Sequence, residues 1–313
     1  MKTLTYDVSK FEAFDHDTIM PSFFAVVVGQ RRSGKSFMVN HLLQKLTKDK
    51  SKKPDAIFLI SRTLGTDVPS FEGIPPSFRF PNMDVLEKYI IPKQIEVRDH
   101  NRQNKNKKFF TPVKSNVVVV IDDFAVDNML KNKTLEELAK NGRHFSGTHG
   151  SLSIILLTQS LTAVARQIRL NLDFLFFNAL SSIDEANMIM RENGFFSMDT
   201  SKKGTSAGRE LYHNLVSMQD FRFIVLENYK QNKKDYPDYI KYYDAEYIKP
   251  FKFFGGKMDW INDDFFISNV QHKTEIKHGG STSNIKQKQN IRKPSARLGA
   301  TTFKSSRNNN YKN

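Results

Sequence analysis

The chain has 313 residues, 39% hydrophobic and 26% charged, which is ample for one large or two small domains with an unstapled core. It has no cysteine, so disulfides, thiolate zinc sites, iron–sulfur clusters and thiol nucleophiles are excluded. The net charge of +15 is lopsided: Gln271 to Asn313 hold ten Lys/Arg and one acid, which suits a polyanion partner or a solvated, disordered tail.

The opening MKTLTYDVSKFEAFDHD carries acids early and no apolar stretch, which argues against a secretory leader. No run approaches the roughly 18 apolar residues of a membrane span. FFAVVV (Phe23–Val28) predicts a buried strand running into a glycine turn, with a helix over Lys35–Leu46. AIFLIS (Ala56–Ser61) predicts the next strand. After a Pro/Gly-rich stretch, a helical pattern appears around Met83–Ile91. VVVVI (Val117–Ile121) is a β-branched strand, followed by a helical stretch at Lys133–Asn141. SIILLT (Ser153–Thr158) and FLFF (Phe174–Phe177) predict strands, Ile183–Glu192 a helix, and FRFIVLE (Phe221–Glu227) a late strand. Uniformly apolar strands alternating with helices predict an α/β fold with a mostly parallel central sheet sandwiched by helices. The expected organisation is an N-terminal extension (1–20), an α/β core (21–230), a C-terminal arm (231–270) and a basic disordered tail (271–313).

GQRRSGKS, Gly29 to Ser36, satisfies the phosphate-loop pattern G-x-x-x-x-G-K-[ST] in its required strand–loop–helix setting. Gly29 and Gly34 let backbone N–H groups of Gln30, Arg31, Arg32 and Ser33 turn around a phosphate at a helix N-terminus. Lys35 would reach the β/γ-phosphates of ATP, and the Ser36 hydroxyl would ligate Mg²⁺. The strand in VVVVIDD ends in two acids at the edge where open α/β sheets bind ligands. Asp122 suits the metal, and Asp123 suits polarising the attacking water. SIILLTQS ends a further strand in Thr158 and Gln159, and Gln159 suits sensing the γ-phosphate. An extra strand between the acid-bearing strand and the loop strand marks translocating and remodelling P-loop ATPases.

The order GQRRSGKS, VVVVIDD, KNGRHFSGTHGSLSIILLTQS, IRLNLDFLFF resembles the FtsK–HerA superfamily of DNA-pumping ATPases, and within it the DNA-packaging ATPases of poxviruses and other large nucleocytoplasmic DNA viruses. The likeness covers Phe23 to Met190. It implies a RecA-like core, a homo-oligomeric ring acting on double-stranded DNA, a capsid or portal-type partner, and a place in the host-cytoplasm viral factory or the virion. It makes Lys35 and Ser36 the phosphate-loop pair, Asp122 the metal acid and Gln159 the sensor. Asp123 stands where most of the superfamily has Glu. Arg143, in GRH, stands where the family supplies an arginine to the neighbouring subunit's nucleotide, with Arg166 and Arg169 as alternatives; it also suits a surface charge at a helix C-terminus.

FSGTHGS reads as an extra glycine-rich loop near a subunit interface. Pro92–Asn116, with seven Lys/Arg and two acids, reads as a basic insertion facing DNA or solvent. His144 and His149 have no third ligand nearby, and Trp260 suits docking the C-terminal arm. Other readings are a helicase or AAA-type remodeller, and a nucleotide-dependent assembly or secretion factor. A helicase would need a second RecA-like domain, and a secretion factor a membrane anchor.

Overall fold

Each of the six apolar runs becomes a strand of one sheet. The computed structural model describes residues 8–62, 71–122, 132–180, 182–192, 212–217, 220–229 and 236–246, all within a unit spanning Met1–Ser268. The strands are β1 (Phe24–Val28), β2 (Ala56–Ser61), β3 (Arg79–Phe80), β4 (Ser115–Asp122), β5 (Gly150–Thr158), β6 (Phe174–Phe177), β7 (Arg222–Glu227) and β8 (Ile240–Asp244). The helices are α1 (Lys35–Lys48), α2 (Ile91–Asn104), α3 (Lys133–Phe145), α4 (Arg166–Asn171) and α5 (Ile183–Glu192). The sheet order is β3-β2-β4-β5-β1-β6-β7-β8. The strands from β3 to β6 run parallel, and β7 and β8 are antiparallel to their neighbours.

β1 and β6 are apolar throughout, and every position of β1, β2, β6 and β7 is buried, the polar ends Ser61, Arg222 and Glu227 included. In α1 the buried stripe is Met38, Val39, Leu42, Leu43 and Leu46, the spacing of one helix face. α3 starts on Asn132, whose side chain accepts from Thr134 N, and buries Leu135, Leu138 and Gly142. The segment before β1 packs onto this core through Phe11, Phe14 and Ile19, and Ala13 bridges to Tyr242 on β8.

The sequence reading of Pro92–Asn116 as an inserted loop is corrected. The helical pattern near Met83–Ile91 becomes a π-helical turn, Leu86–Ile90, that continues into α2, with Pro92 tolerated in the first turn. Hydrophobic periodicity hid this helix because two of its three buried positions are polar: Gln94, Val97 and Asn101. Gln94 donates to the Ser115 carbonyl and hydroxyl at 3.3 and 3.0 Å. Asn101 both donates to Val113 O and accepts from Val113 N, each at 2.8 Å. FSGTHGS forms a tight 3-10 turn, Gly147–His149, docked on α2. Gly147 has φ +69°, and a Cβ there would lie 2.9 Å from Arg98 Cγ. Asp123, Trp260 and the tail Gln271–Asn313 lie outside the described residues.

Candidate functional site

The end of β1 opens into the phosphate loop, and its two glycines are required by contact. A Cβ on Gly29 would fall 2.5 Å from Ser33 Oγ and 2.6 Å from the Asn178 carbonyl. Gly34 caps α1 at φ +85°, and a Cβ there would meet the Phe221 ring at 2.6 Å. Arg32 also has positive φ, +66°. Gln30, Arg31 and Arg32 are exposed and Ser33 is buried, its hydroxyl without a hydrogen-bond partner. The Lys35 ammonium donates to the Gly29 and Gln30 carbonyls at 2.7 and 2.9 Å, across the mouth of the loop. Ser36 follows in the first turn of α1.

Two neighbouring segments brace the loop. Gly29 N donates to Thr158 O at 3.3 Å, at the end of β5. Gln30 N donates to Ala179 O at 3.1 Å, and the Gln30 side-chain amide donates to Leu180 O at 3.3 Å. Leu180 N in turn donates to the Tyr212 hydroxyl at 3.0 Å. Tyr212 stacks on Phe177, and burial pushes its phenol above its ordinary pKa.

Asp122 is the last residue of β4 and half-buried. Ile121 is level with Leu156, and Leu156 with Val26, so the Asp122 carboxyl emerges on the edge where β1 becomes the loop. β5 lies between these two strands, as the sequence reading expects. Gln159 is exposed and follows directly on the Thr158 carbonyl that holds Gly29. The turn beyond it is fixed by a residue the sequence reading missed. Glu185 on α5, fully buried, accepts from Ser160 Oγ and Leu161 N, both at 2.5 Å. An acid in the first turn of a helix looks like ordinary capping in sequence, so no signal set it apart.

The three candidate arginines differ in what they hold. Arg169 makes two hydrogen bonds to Glu192, at 2.6 and 2.8 Å, and a third to Val164 O. The Arg169 hydrogen bond and charge hold the Glu192 carboxyl below its ordinary pKa. Arg166 reaches Glu192 only at 4.0 Å, with its side chain 69% exposed. Arg143 pairs with Asp173 at 2.6 Å, and Asp173 also accepts from Phe24 N, the first residue of β1. Arg143 therefore stands where β1 begins, beside a cavity of about 270 Å³ lined by Lys140, His144 and Asn171 among others. The loop lies at the other end of β1, about 16 Å of strand away.

The donor set suits a nucleotide and its metal: two glycines that keep the cradle clear of Cβ atoms, an unpartnered buried Ser33 hydroxyl, the Lys35 ammonium, and the hydroxyl and carboxyl oxygens of Ser36 and Asp122. Fold and loop together define a nucleotide-binding ATPase of the P-loop class, with the additional strand between loop and acid. The family model described as Poxvirus A32 protein matches residues 11–205, well over half of the chain, and the chain belongs to that family. Among solved structures, it is similar to the genome packaging NTPase B204 from Sulfolobus turreted icosahedral virus 2 in complex with sulfate, at 15% identity over 74% of this chain and 100% of that one, TM-score 0.47. It is also similar to the pCW3 conjugation coupling protein TcpA in its monomer form with ATPgS, at 15% identity over 77% and 70%, TM-score 0.45. A further similarity is to the cytoplasmic domain of the Thermomonospora curvata Type VII secretion ATPase EccC, at 14% identity over 80% and 27%, TM-score 0.41. No curated protein matches the sequence.

Proposed function

We propose that this DNA-packaging ATPase works as a Mg²⁺-dependent ring motor that drives double-stranded DNA into a viral capsid, in the viral factory or the virion. The observation that carries the reading is the strand order β4-β5-β1 in a chain of this family: the acid strand and the loop strand flank a strand that ends in Thr158, with Gln159 directly after it. Loop N–H groups and Lys35 hold the β- and γ-phosphates, and the ammonium leaves the Gly29 and Gln30 carbonyls to do so. Ser36 and Asp122 would hold the Mg²⁺, which would supply charge neutralisation at the phosphates. Gln159 orients water, and Asp123 accepts its proton. Arg143 completes the neighbouring subunit's pocket, because in its own subunit it stands at the far end of β1. No helix among the described residues is long and apolar enough to cross a membrane. The sheet runs past residue 230 through β8 and takes in residues before 21, so the ATPase core is wider than 21–230; the basic tail over 271–313 adds DNA affinity.

The deciding measurement is the ATPase rate with and without double-stranded DNA, alongside the mass of the assembly. Stimulation by duplex DNA in an oligomer is the expected result. An oligomer with brisk turnover indifferent to duplex DNA would favour an assembly or secretion role.

A further inference from the structure

We propose that Phe221 is the platform on which the base of the bound nucleotide stacks, an inference that rests on the ATP-site reading above. Phe221 is 51% exposed, a large apolar ring left in solvent. Its backbone is held at φ +61°, in the left-handed region that costs a bulky residue energy. It is the residue before β7, and β7 runs antiparallel to β6, so Phe221 lies on the same sheet edge as the phosphate loop. One side of its ring packs against Gly34, where even a Cβ would intrude, and it tilts toward half-buried Phe37 with ring centroids 6.4 Å apart.

Direction follows from the strand order. Lys35 and Ser36 sit at the start of α1, at the end of β1. Asp122 lies on one side of β1, across β5, so the γ-phosphate end of the nucleotide points there. The nucleoside must then leave the loop on the other side, toward β6 and β7, where Phe221 stands. Phe37, immediately after Ser36, extends the apolar surface beside the phosphates. A π-face accepts any base, so this platform favours a nucleoside triphosphate over the bare phosphate chain without choosing sharply between purines.

Calorimetric titration of the full chain with Mg-ATP and with inorganic tripolyphosphate tests this. Phe221→Ala should weaken ATP binding by about tenfold while leaving tripolyphosphate binding unchanged. Phe221→Tyr should keep wild-type affinity. Phe221→Leu retains apolar cover over Gly34 without an aromatic face, and should lose ATP affinity as the alanine variant does. Equal losses for ATP and tripolyphosphate would mean that Phe221 only shapes the loop, which overturns the proposal, as would unchanged ATP affinity in Phe221→Ala. A wild-type chain that binds neither probe would instead overturn the phosphate-loop reading, and this inference with it.

Discussion

The two edges of the central sheet are built by different means. At the edge where the parallel strands end, backbone shapes the loop: it needs Gly29 and Gly34 for clearance and turn geometry, and its carbonyls hold Lys35. At the edge where they begin, side chains make the distinctive contacts. Arg143 clasps Asp173, Asn101 pins Val113, and Phe109 stands 91% exposed beneath Lys108. A backbone-built site tolerates few residue types at fixed spacing. A side-chain-built face can draw its groups from any part of the chain, and can be rebuilt with little change to the fold.

The two edges should therefore fail differently when mutated. The largest effect is expected at the loop. Lys35→Ala should cut ATP turnover by about 10³-fold or more, since it removes the charge facing the transferring group. The fold should survive, because Lys35 packs no core; unaltered turnover in a folded Lys35→Ala protein would break the assignment. Arg143→Ala should approach the same loss, about 10³-fold, with ATP affinity near normal. Mixing separates the two edges. Lys35→Ala subunits keep the arginine, Arg143→Ala subunits keep the pocket, and mixed assemblies should regain part of the activity. If subunits exchange without recovery, Arg143 serves only its clasp with Asp173. An ion pair with one partner this exposed is worth no more than about 1 kcal/mol, so little stability should be lost either way.

The same contrast explains what the sequence disclosed. The order of strands and helices, the loop and the acid strand are legible, because uniformly apolar strands and obligatory glycines leave few alternatives. α2 is not legible, because Gln94 and Asn101 face inward with their hydrogen bonds made by Ser115 and Val113, and polar residues at core positions read as a solvated loop. Glu185 is hidden for a similar reason: burial, which sequence does not display, separates it from any other first-turn acid. Phe221 reads as the start of a strand, and only its φ and its contact with Gly34 reveal it as more. Asn101→Ala tests the side-chain edge directly. Losing both hydrogen bonds to Val113, which is itself partly solvated, should lower stability by about 1–2 kcal/mol. ATP affinity should not change. A drop in ATP affinity together with the lowered melting point would show that the edges are coupled.

The smallest effect expected concerns α1, the helix that leaves the loop. Midway along it, His41 Nδ1 lies 3.1 Å from the Tyr243 hydroxyl, which also lies 3.1 Å from His16 Nε2. One phenol can donate to one ring and accept from the other, so the trio is satisfied with both imidazoles neutral. Burial, helped by the Lys45 charge and by His41, lowers His16 from its ordinary value to about 4, against the smaller pull of Asp15 and Asp17. Burial and Lys45, with a smaller push from Lys48, lower His41 against the pull of Glu246. The sign follows. Between pH 6.5 and about 4 the unfolded chain takes up these protons and the folded chain does not, so acid favours unfolding. The stability these groups contribute is whole above pH 6.5 and is lost as the pH falls toward 4. Wild-type melting temperature should fall by a few degrees, about 2–6 °C, between pH 7 and pH 5. In His16→Gln the fall should be smaller, because glutamine keeps a polar partner for Tyr243 and cannot titrate. Equal slopes in the two proteins would mean that His16 contributes nothing to the acid sensitivity. A slope in His16→Gln removed entirely would make His16 the main acid sensor of this face, and would leave His41 with little part in it.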